Sequence, residues 1–200
     1  MQLDVDVGCR RLLPNTQGGT TVTEIRRLNW GCGDVTPPGW INSDIKSGPG
    51  IDISADILEG LPLHDDSIDY ISSQHALPAL KVWNQLDALS ELRRVLKPGG
   101  VLRLCLPDLD LAIAAYQSGR QEYFSVWAWD TISGNFITQI VDHGYNYTPF
   151  TYEFSEELLW KAGFADVHRV GHHHTVSSYP EIIELDRRKS RESFYVEAFK

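Results

Sequence analysis

The sequence has little of what would indicate a membrane protein or a disulfide-stabilised one. Its three cysteines, Cys9, Cys32 and Cys105, are an odd number and form no CxxC pair, so neither a disulfide framework nor a zinc knuckle is indicated. No segment approaches the roughly 18 consecutive apolar residues of a membrane-spanning helix. Residues 1–19 carry acids where a signal peptide needs positive charge. We therefore expect a soluble protein of the reducing cytoplasm.

Positive charge is scarce as well. Lysine and arginine number 18 against 27 aspartate and glutamate residues, which gives a formal net charge of −9. The basic clusters are short, at 10–11, 26–27, 93–94 and 187–189. Because a negative field repels phosphate backbones, we expect no nucleic-acid partner, and the lack of an apolar span gives no reason to expect a membrane.

Length and composition are those of one globular domain with a substantial core. The chain has 200 residues, of which 42% are hydrophobic and 22% charged, and both fractions are ordinary. We expect residues 1–23 to be a polar leader, which is either disordered or folded over the pocket as a lid. Residues 24–200 are expected to form the domain itself.

Short apolar runs alternate with amphipathic segments from residue 25 onward. This alternation of strands and helices is typical of an α/β sheet with helices on both faces. A Lys-Pro-Gly-Gly turn ends the first predicted helix, and Ser155 is expected to cap the last one. The predicted strands lie at 26–30, 39–44, 51–53, 67–73, 101–106, 166–171 and 192–199, and the predicted helices at 83–96, 109–117 and 156–162.

The most informative feature is a glycine turn after the first strand. The apolar run at 28–30 breaks into Gly31-Cys32-Gly33, and the second run ends on Asp44. A strand that stops in a glycine turn lets the backbone approach a ligand closely, because no Cβ intervenes. An acid at the tip of the neighbouring strand can accept both hydroxyls of a ribose. Together they predict a nucleoside pocket at the carboxyl edge of a parallel sheet.

Four segments along the chain carry a recognisable pattern. They are, in order, LNWGCGD, GWINSDI, SADILEGLPLHDDSIDYISSQHAL and ELRRVLKPGGVLRLCLPDL. In this order and at these spacings they resemble the class I S-adenosylmethionine-dependent methyltransferases, in particular a small bacterial branch of them. The resemblance runs from about residue 28 to residue 199. It implies a Rossmann-like sheet of seven strands, mostly parallel with an antiparallel last strand, and S-adenosyl-L-methionine as cofactor.

The resemblance also assigns cofactor-binding residues in this sequence. It places the glycine loop under the methionine part of the cofactor and Asp44 on the ribose hydroxyls. An acid and the residue after it flank the adenine, and the residues after strand four line the site of methyl transfer. The implied cofactor-binding residues are Gly31, Cys32, Gly33, Asp44, Asp56, Ile57 and Gln74.

Two departures from the family pattern stand out. Only six residues, 34–39, separate the glycine turn from the second strand, and two of them are prolines. A parallel crossover usually needs about a dozen residues, so we expect the first crossover helix to be missing or reduced to a turn. After strand four, related sequences have H-x-L-E-H, whereas residues 75–79 here are HALPA and lack the acid and the second histidine.

A general base is needed only if the methyl acceptor is protonated, because the sulfonium donor is already activated. The candidates are His75, at the tip of strand four, and His143, in a glycine-containing loop. The alternatives are that His75 orders the entry to a helix and that His143 belongs to an ordinary surface loop. Tyr145 or Tyr147 is an equal candidate for orienting an acceptor.

The aromatic-rich segment at 121–154 is the best candidate for recognising a small acceptor, since aromatic rings combine apolar area with polar tips. A core or homodimer role for it is about as well supported. No metal site is predicted, because the three consecutive histidines at 172–174 point to alternate faces of a strand.

The leading hypothesis is a methyltransferase acting on oxygen or nitrogen of a small metabolite or natural-product intermediate. The alternative is a non-catalytic relative that binds S-adenosylmethionine or a protein partner. A nucleotide-sugar or NAD enzyme is disfavoured because the third glycine and a long first helix are absent.

Overall fold

The computed structural model of the chain describes residues 24–124, 129–141, 144–187 and 191–200. Within them lies one sheet of seven strands, in the order β3-β2-β1-β4-β5-β7-β6. All pairs are parallel except those of β7, which runs antiparallel to both β5 and β6. The strands are β1 Arg27–Trp30, β2 Ile41–Asp44, β3 Ile53–Ser54, β4 Ile68–Gln74, β5 Leu96–Pro107, β6 Ala165–Val170 and β7 Ser193–Phe199. The predicted α/β sheet with an antiparallel last strand is confirmed.

In the described ranges, four α-helices and several short 3₁₀ segments accompany the sheet. The second predicted helix is confirmed to the residue, and the first and third shift by a few residues. Helix α3 and the last 3₁₀ segment were not predicted. The helices are α1 Gln85–Val95, α2 Leu109–Gln117, α3 Ile132–Val141 and α4 Tyr152–Lys161, and the 3₁₀ segments are Leu77–Ala79, Val82–Asn84, Gln121–Tyr123 and Pro180–Leu185.

The first part of the sheet is connected without helices. Three consecutive crossovers, at 31–40, 45–52 and 55–67, are fully described and contain turns and extended chain but no helix. Asn29 secures the first of them, because its side-chain amide donates to the carbonyl of Val35 at 2.8 Å and to Oδ1 of Asn42 at 3.0 Å. The expected loss of the first crossover helix is confirmed and extends to the next two connections.

One face of the sheet, called here the apolar face, packs against α1 and α4. Leu89 and Leu92 of α1 are fully buried, and Leu158 and Leu159 of α4 lie in the same core cluster. Alternate residues of the strands, such as Leu104, point to this face because successive strand side chains alternate. This core fixes the strands whose carboxyl ends carry the predicted pocket.

The opposite face, called here the polar face, is covered by residues 171–187 instead of by α-helices. Arg103 lies at its centre with its side chain fully buried, and its guanidinium bonds to Asp186 at 2.5 and 2.9 Å and to Glu197 at 2.6 Å. Apolar contacts to Ile182 and Leu185 complete the cover.

The last helix begins earlier than predicted, and the expected cap is wrong. Thr151 occupies the N-cap position, where its side-chain oxygen accepts the N–H of Phe154 at 3.2 Å. Ser155 lies inside the first turns of α4 and donates its hydroxyl to the carbonyl of Tyr152 at 2.7 Å. The sequence offered two residues of capping type four positions apart, and the aromatic residues between them pack as part of the helix.

Candidate functional site

The glycine turn lies at the carboxyl end of β1, as predicted. Gly31 has φ +66°, and a Cβ built there would lie 2.1 Å from Cβ of Ala76 in the loop after β4. Gly33 has φ +53° and no heavy atom within 4 Å of a built Cβ. Gly31 is therefore needed for close packing of the two loops, whereas Gly33 borders open space where a ligand can lie against the backbone.

Asp44 ends β2 directly beside this turn. Its Oδ2 accepts the N–H of Gly33 at 2.9 Å, and its Oδ1 accepts the N–H of Lys46 at 3.0 Å. These two bonds fix the carboxylate across the open side of the turn. Each carboxylate oxygen can accept a second hydrogen bond, so the group can also receive the two neighbouring hydroxyls of a ribose.

Asp56 follows β3 at the same edge of the sheet. The two strand ends are joined by the N–H of Ala55, which donates to the carbonyl of Asp44 at 3.0 Å. Oδ1 of Asp56 accepts the N–H of Leu58 at 3.0 Å. Ile57 is 6% exposed and packs in the apolar core, so it supports this corner from below rather than lining it.

Two apolar side chains at this corner were not singled out in the sequence. Ile45, directly after Asp44, is 65% exposed, and Leu58, two residues after Asp56, is 40% exposed. Exposed aliphatic groups beside two carboxylates suit a flat heteroaromatic ring with polar edges. The signal available in the sequence was an aliphatic residue immediately following an acid at a strand end.

The Cys32 thiol is a packing group in this turn. Its side chain is buried, and Sγ lies 3.6 Å from the carbonyl oxygen of Gly33. Burial raises the pKa of the Cys32 thiol, and the negative charge of Asp44 raises it further. The protonated thiol is a poor nucleophile, which agrees with the interpretation of Cys32 as a small residue near the cofactor.

Gln74 ends β4 and faces the same edge. Its Nε2 and Oε1 are both buried, and neither has a hydrogen-bond partner among the described residues. An unpaired buried polar atom costs about 1–3 kcal/mol. A side-chain amide held in this state at a strand end is a place where a ligand or an ordered water completes the bonding.

His75 is held in an unusual backbone conformation at the tip of β4. Its φ is +60°, its N–H donates to the carbonyl of Cys105 at 3.0 Å, and its Nε2 lies 2.9 Å from Oγ of Ser193 at the start of β7. Non-glycine residues adopt this conformation rarely, and they cluster at functional sites. The ring is therefore fixed at the junction of β4, β5 and β7.

Of the other candidates for acceptor chemistry, Tyr147 lies next to the 3₁₀ segment that follows His75, because its N–H donates to the carbonyl of Pro78 at 2.9 Å. His143 lies outside the described residues. Tyr145 and Tyr147 are 71% and 63% exposed. The described part of the aromatic segment divides, since Phe124 and Phe150 are fully buried while these two tyrosines face solvent.

The three histidines at 172–174 follow the end of β6. The rings of His172 and His173 stack with centroids 3.8 Å apart, and Nε2 of His173 lies 3.1 Å from the carbonyl oxygen of Asp186. Across the described ranges of the chain, no group of three or more His, Cys, Asp or Glu side chains is placed to hold a metal ion. The described helices also include none that is long and apolar enough to cross a membrane.

The strand order and the antiparallel β7 are those of the class I methyltransferase fold. Comparison with known proteins agrees. Residues 41–104 match the family model described as a methyltransferase domain. The probable methyltransferase ltbC of Aspergillus luteorubrus is 45% identical over 60 residues, which cover 28% of this chain and 21% of that protein.

Two solved structures share the fold at low sequence identity. A Thermotoga maritima protein described as a possible histamine N-methyltransferase has a TM-score of 0.57 at 19% identity, over 90% of this chain and 84% of that one. Phosphoethanolamine N-methyltransferase 2 of Haemonchus contortus, in complex with S-adenosyl-L-methionine, has a TM-score of 0.53 at 15% identity, over 89% of this chain and 49% of that one.

The predicted resemblance to class I S-adenosylmethionine-dependent methyltransferases is therefore confirmed. Residues 41–104, which match the methyltransferase domain model, include Asp44, Asp56, Gln74 and His75. The matched region spans about a fifth of the curated relative, 21% of its length. The domain match and this relative both support the predicted enzyme class.

Proposed function

We propose that the chain is an S-adenosylmethionine-dependent methyltransferase that transfers a methyl group to an oxygen or nitrogen of a small metabolite or natural-product intermediate. The observation that carries the proposal is the Asp44 carboxylate, which the Gly33 N–H holds at 2.9 Å across the turn. The space beside Gly33, where no atom lies within 4 Å of a built Cβ, gives a nucleoside room to approach.

The residues present fit S-adenosyl-L-methionine. Asp44 offers free lone pairs to ribose hydroxyls, Asp56 keeps one carboxylate oxygen beyond its bond to Leu58, and Gln74 brings an unpaired amide to the strand end. When bound, the cofactor supplies a methyl group on a sulfonium that needs no further activation. The backbone of residues 31–33 and the carboxylate of Asp44 would hold it.

The task of the chain is then to orient the acceptor, to exclude water and, where the acceptor carries a proton, to remove it. Holding two reactants in line lowers a barrier by up to about 7–11 kcal/mol in well-oriented systems. His75 and His143 remain the proposed bases, since imidazole is the commonest general base. For His75 the bond to Ser193 at 2.9 Å supports a fixed ring orientation.

Calorimetric titration with S-adenosylhomocysteine tests the cofactor site. We expect micromolar binding to the wild-type chain and at least about 100-fold weaker binding to Asp44→Ala, because two hydrogen bonds to a charged group of about 1.5 kcal/mol or more each are lost. Asp34→Ala is the matched control, since Asp34 is an exposed acid of the same turn. Equal weakening in both variants would attribute the effect to net charge alone.

The second candidate is a non-catalytic relative that binds the same cofactor. The three crossovers without helices and the missing acid in residues 75–79 favour it. Mass spectrometry of a panel of hydroxyl and amine acceptors, incubated with the protein and S-adenosylmethionine, separates the two. Cofactor binding without any methylated product supports the non-catalytic candidate, whereas binding of NAD in place of S-adenosylhomocysteine contradicts both.

A further inference from the structure

A second pocket lies beyond the ends of β5 and β7. It is an open cleft between α2 and α3, at the same edge of the sheet as the glycine turn. Its wall contains the carboxylates of Asp108 and Glu192, the amides of Gln139 and Asn146, and apolar surface that includes Ile140 and Phe150. A concave wall of apolar surface with a few polar groups is typical of a small-molecule site.

The polar groups of the wall that remain available to a ligand are mainly acceptors. Oε1 of Gln139 is buried and has no hydrogen-bond partner among the described residues. Asp108 and Glu192 are carboxylates, which only accept when ionised. Among the described residues that line the cavity there is no lysine or arginine. A ligand that completes this wall therefore has to donate hydrogen bonds.

Two arginines compensate part of the negative charge from outside the cavity. Arg169 contacts Oδ2 of Asp108 at 3.0 Å, is 52% exposed, and lies over the ring of Phe194. Arg191 contacts Glu192 at 3.1 Å and is 67% exposed. The Arg191–Glu192 pair is exposed and weak because water screens it. The Asp108 carboxylate is 2% exposed, so its pair with Arg169 is screened less, and its Oδ1 also accepts the N–H of Leu111 at 3.1 Å. The interior wall keeps its acceptor character.

Tyr123 lies in the negative field of the same two carboxylates. Its hydroxyl is buried and has no hydrogen-bond partner among the described residues. Burial raises the pKa of Tyr123 to about 12, and the negative charges of Asp108 and Glu192 contribute to the rise. The phenol therefore stays protonated, and both carboxylates lie close enough to it for their field to act.

The cavity adjoins the place where methyl transfer is proposed. β5 is the neighbour of β4 and lies two strands from β1. Strands are about 4.8 Å apart, so the end of β5 is about 10 Å from the glycine turn. His75, at the tip of β4, is bonded to Ser193, the residue next to Glu192. The cavity wall is therefore connected to His75 through adjacent residues at the start of β7.

We propose that this cavity is the acceptor subsite and that it takes a small amine, bound as its ammonium form by Asp108, Glu192 and Oε1 of Gln139, with its carbon skeleton against Ile140 and Phe150. This inference rests on the proposed methyltransferase function and names its substrate class. The ammonium supplies the donors that the wall lacks, and charge-assisted hydrogen bonds of this type are the strong ones.

Ligand-observed NMR on the full chain with S-adenosylhomocysteine bound tests the subsite directly. The probes are 2-phenylethylamine, 2-phenylethanol and phenylacetate, which share a ring and differ in charge and donors. We expect the amine to bind at least about tenfold more tightly than the alcohol, with no binding of the carboxylate. Equal affinity for the amine and the alcohol, or a preference for phenylacetate, would overturn the proposal.

Substitutions of the wall residues test whether these side chains are responsible for binding the amine. Glu192→Gln and Gln139→Leu should each weaken the amine about tenfold and leave S-adenosylhomocysteine binding unchanged. Asp110→Asn removes the same charge from an exposed position in α2 outside the cavity wall and should change neither. Unchanged amine binding in both wall variants would contradict the proposed amine subsite but not the methyltransferase function. If the wild-type chain fails to bind S-adenosylhomocysteine, both the proposed methyltransferase function and the subsite are contradicted.

Discussion

The two faces of the sheet differ in the elements that cover them and in the side chains buried beneath. The apolar face is covered by two regular helices, and its contacts are aliphatic side chains such as Leu89, Leu92 and Leu104. The polar face is covered by residues 171–187, whose regular structure is the 3₁₀ segment Pro180–Leu185. At its centre lies a buried ion cluster, beside a smaller apolar cluster. The difference shows how this chain manages without helices in its first three crossovers.

A covering segment without regular structure leaves its backbone polar groups unpaired unless side chains bond to them. The buried cluster does this here. Arg103 donates to the carbonyls of Gly171 and His174 at 3.2 and 2.9 Å. Glu197 accepts the N–H of Val176 and Asp186 accepts that of His173, each at 2.9 Å. The charged side chains of this cluster thus provide the backbone hydrogen bonds that a helix would form within itself.

The largest expected effect comes from breaking that cluster. Arg103→Met leaves two buried carboxylates without their partner, and we expect a loss of about 3–5 kcal/mol in the free energy of unfolding. Urea denaturation followed by circular dichroism measures it. The combined variant Arg103→Met, Asp186→Leu, Glu197→Leu removes the charges together and should be less destabilised than the single variant. A loss below about 1 kcal/mol in Arg103→Met would contradict the anchoring role.

On the apolar face, we expect the loss of stability caused by a substitution to depend on the side-chain volume that is removed. Leu92→Ala, in the fully buried part of α1, is expected to cost about 3 kcal/mol through lost transfer energy and an internal cavity. The same denaturation series measures this cost. Replacing Leu86, which is 37% exposed on the same helix, by alanine is the control and should cost far less.

Gly31→Ala tests the contact between the glycine turn after β1 and the loop after β4. The added methyl would lie 2.1 Å from Cβ of Ala76, and the backbone has φ +66°. Overpacking and a left-handed alanine each cost about 1 kcal/mol or more, so we expect a loss of about 2 kcal/mol. Adding Ala76→Gly should restore the part due to the clash. No recovery in the double variant would show that backbone strain alone is responsible.

The sequence predicted what local patterns encode. The periodic apolar residues of α1 and the glycine turn with Asp44 were found because their signals lie within a few residues. α3 was missed, since Ile132–Val141 contains glycine and several β-branched residues of low helix propensity. Tertiary contacts such as the stacked rings of Tyr116 and Phe136, with centroids 4.7 Å apart, accompany it instead.

The rest of the site depends on residues far apart in the chain. His75 and its partner Ser193 are separated by 118 positions, and the carboxylates of Asp108 and Glu192 meet only through the pairing of β5 with β7. Arg103 lies within a buried strand, where a single basic residue gives no local sign of its partners. Such arrangements follow from topology, which a hydrophobic pattern alone does not specify.

The smallest expected effect is a difference in stability between variants of Thr151 and Ser155, the two candidate N-cap residues of α4. This helix covers the apolar face. Thr151→Ala removes the oxygen that accepts the N–H of Phe154, and loss of such a cap costs about 1 kcal/mol. Ser155→Ala removes a hydroxyl bonded inside the helix to the carbonyl of Tyr152, which keeps its helical environment, so a cost of at most a few tenths of a kcal/mol is expected. Thermal denaturation of both variants under the same conditions compares the two losses of stability. A greater loss in Ser155→Ala would mean that the helix starts four residues later, where the sequence pattern alone placed it, and that the aromatic residues before it belong to the segment over the acceptor cavity.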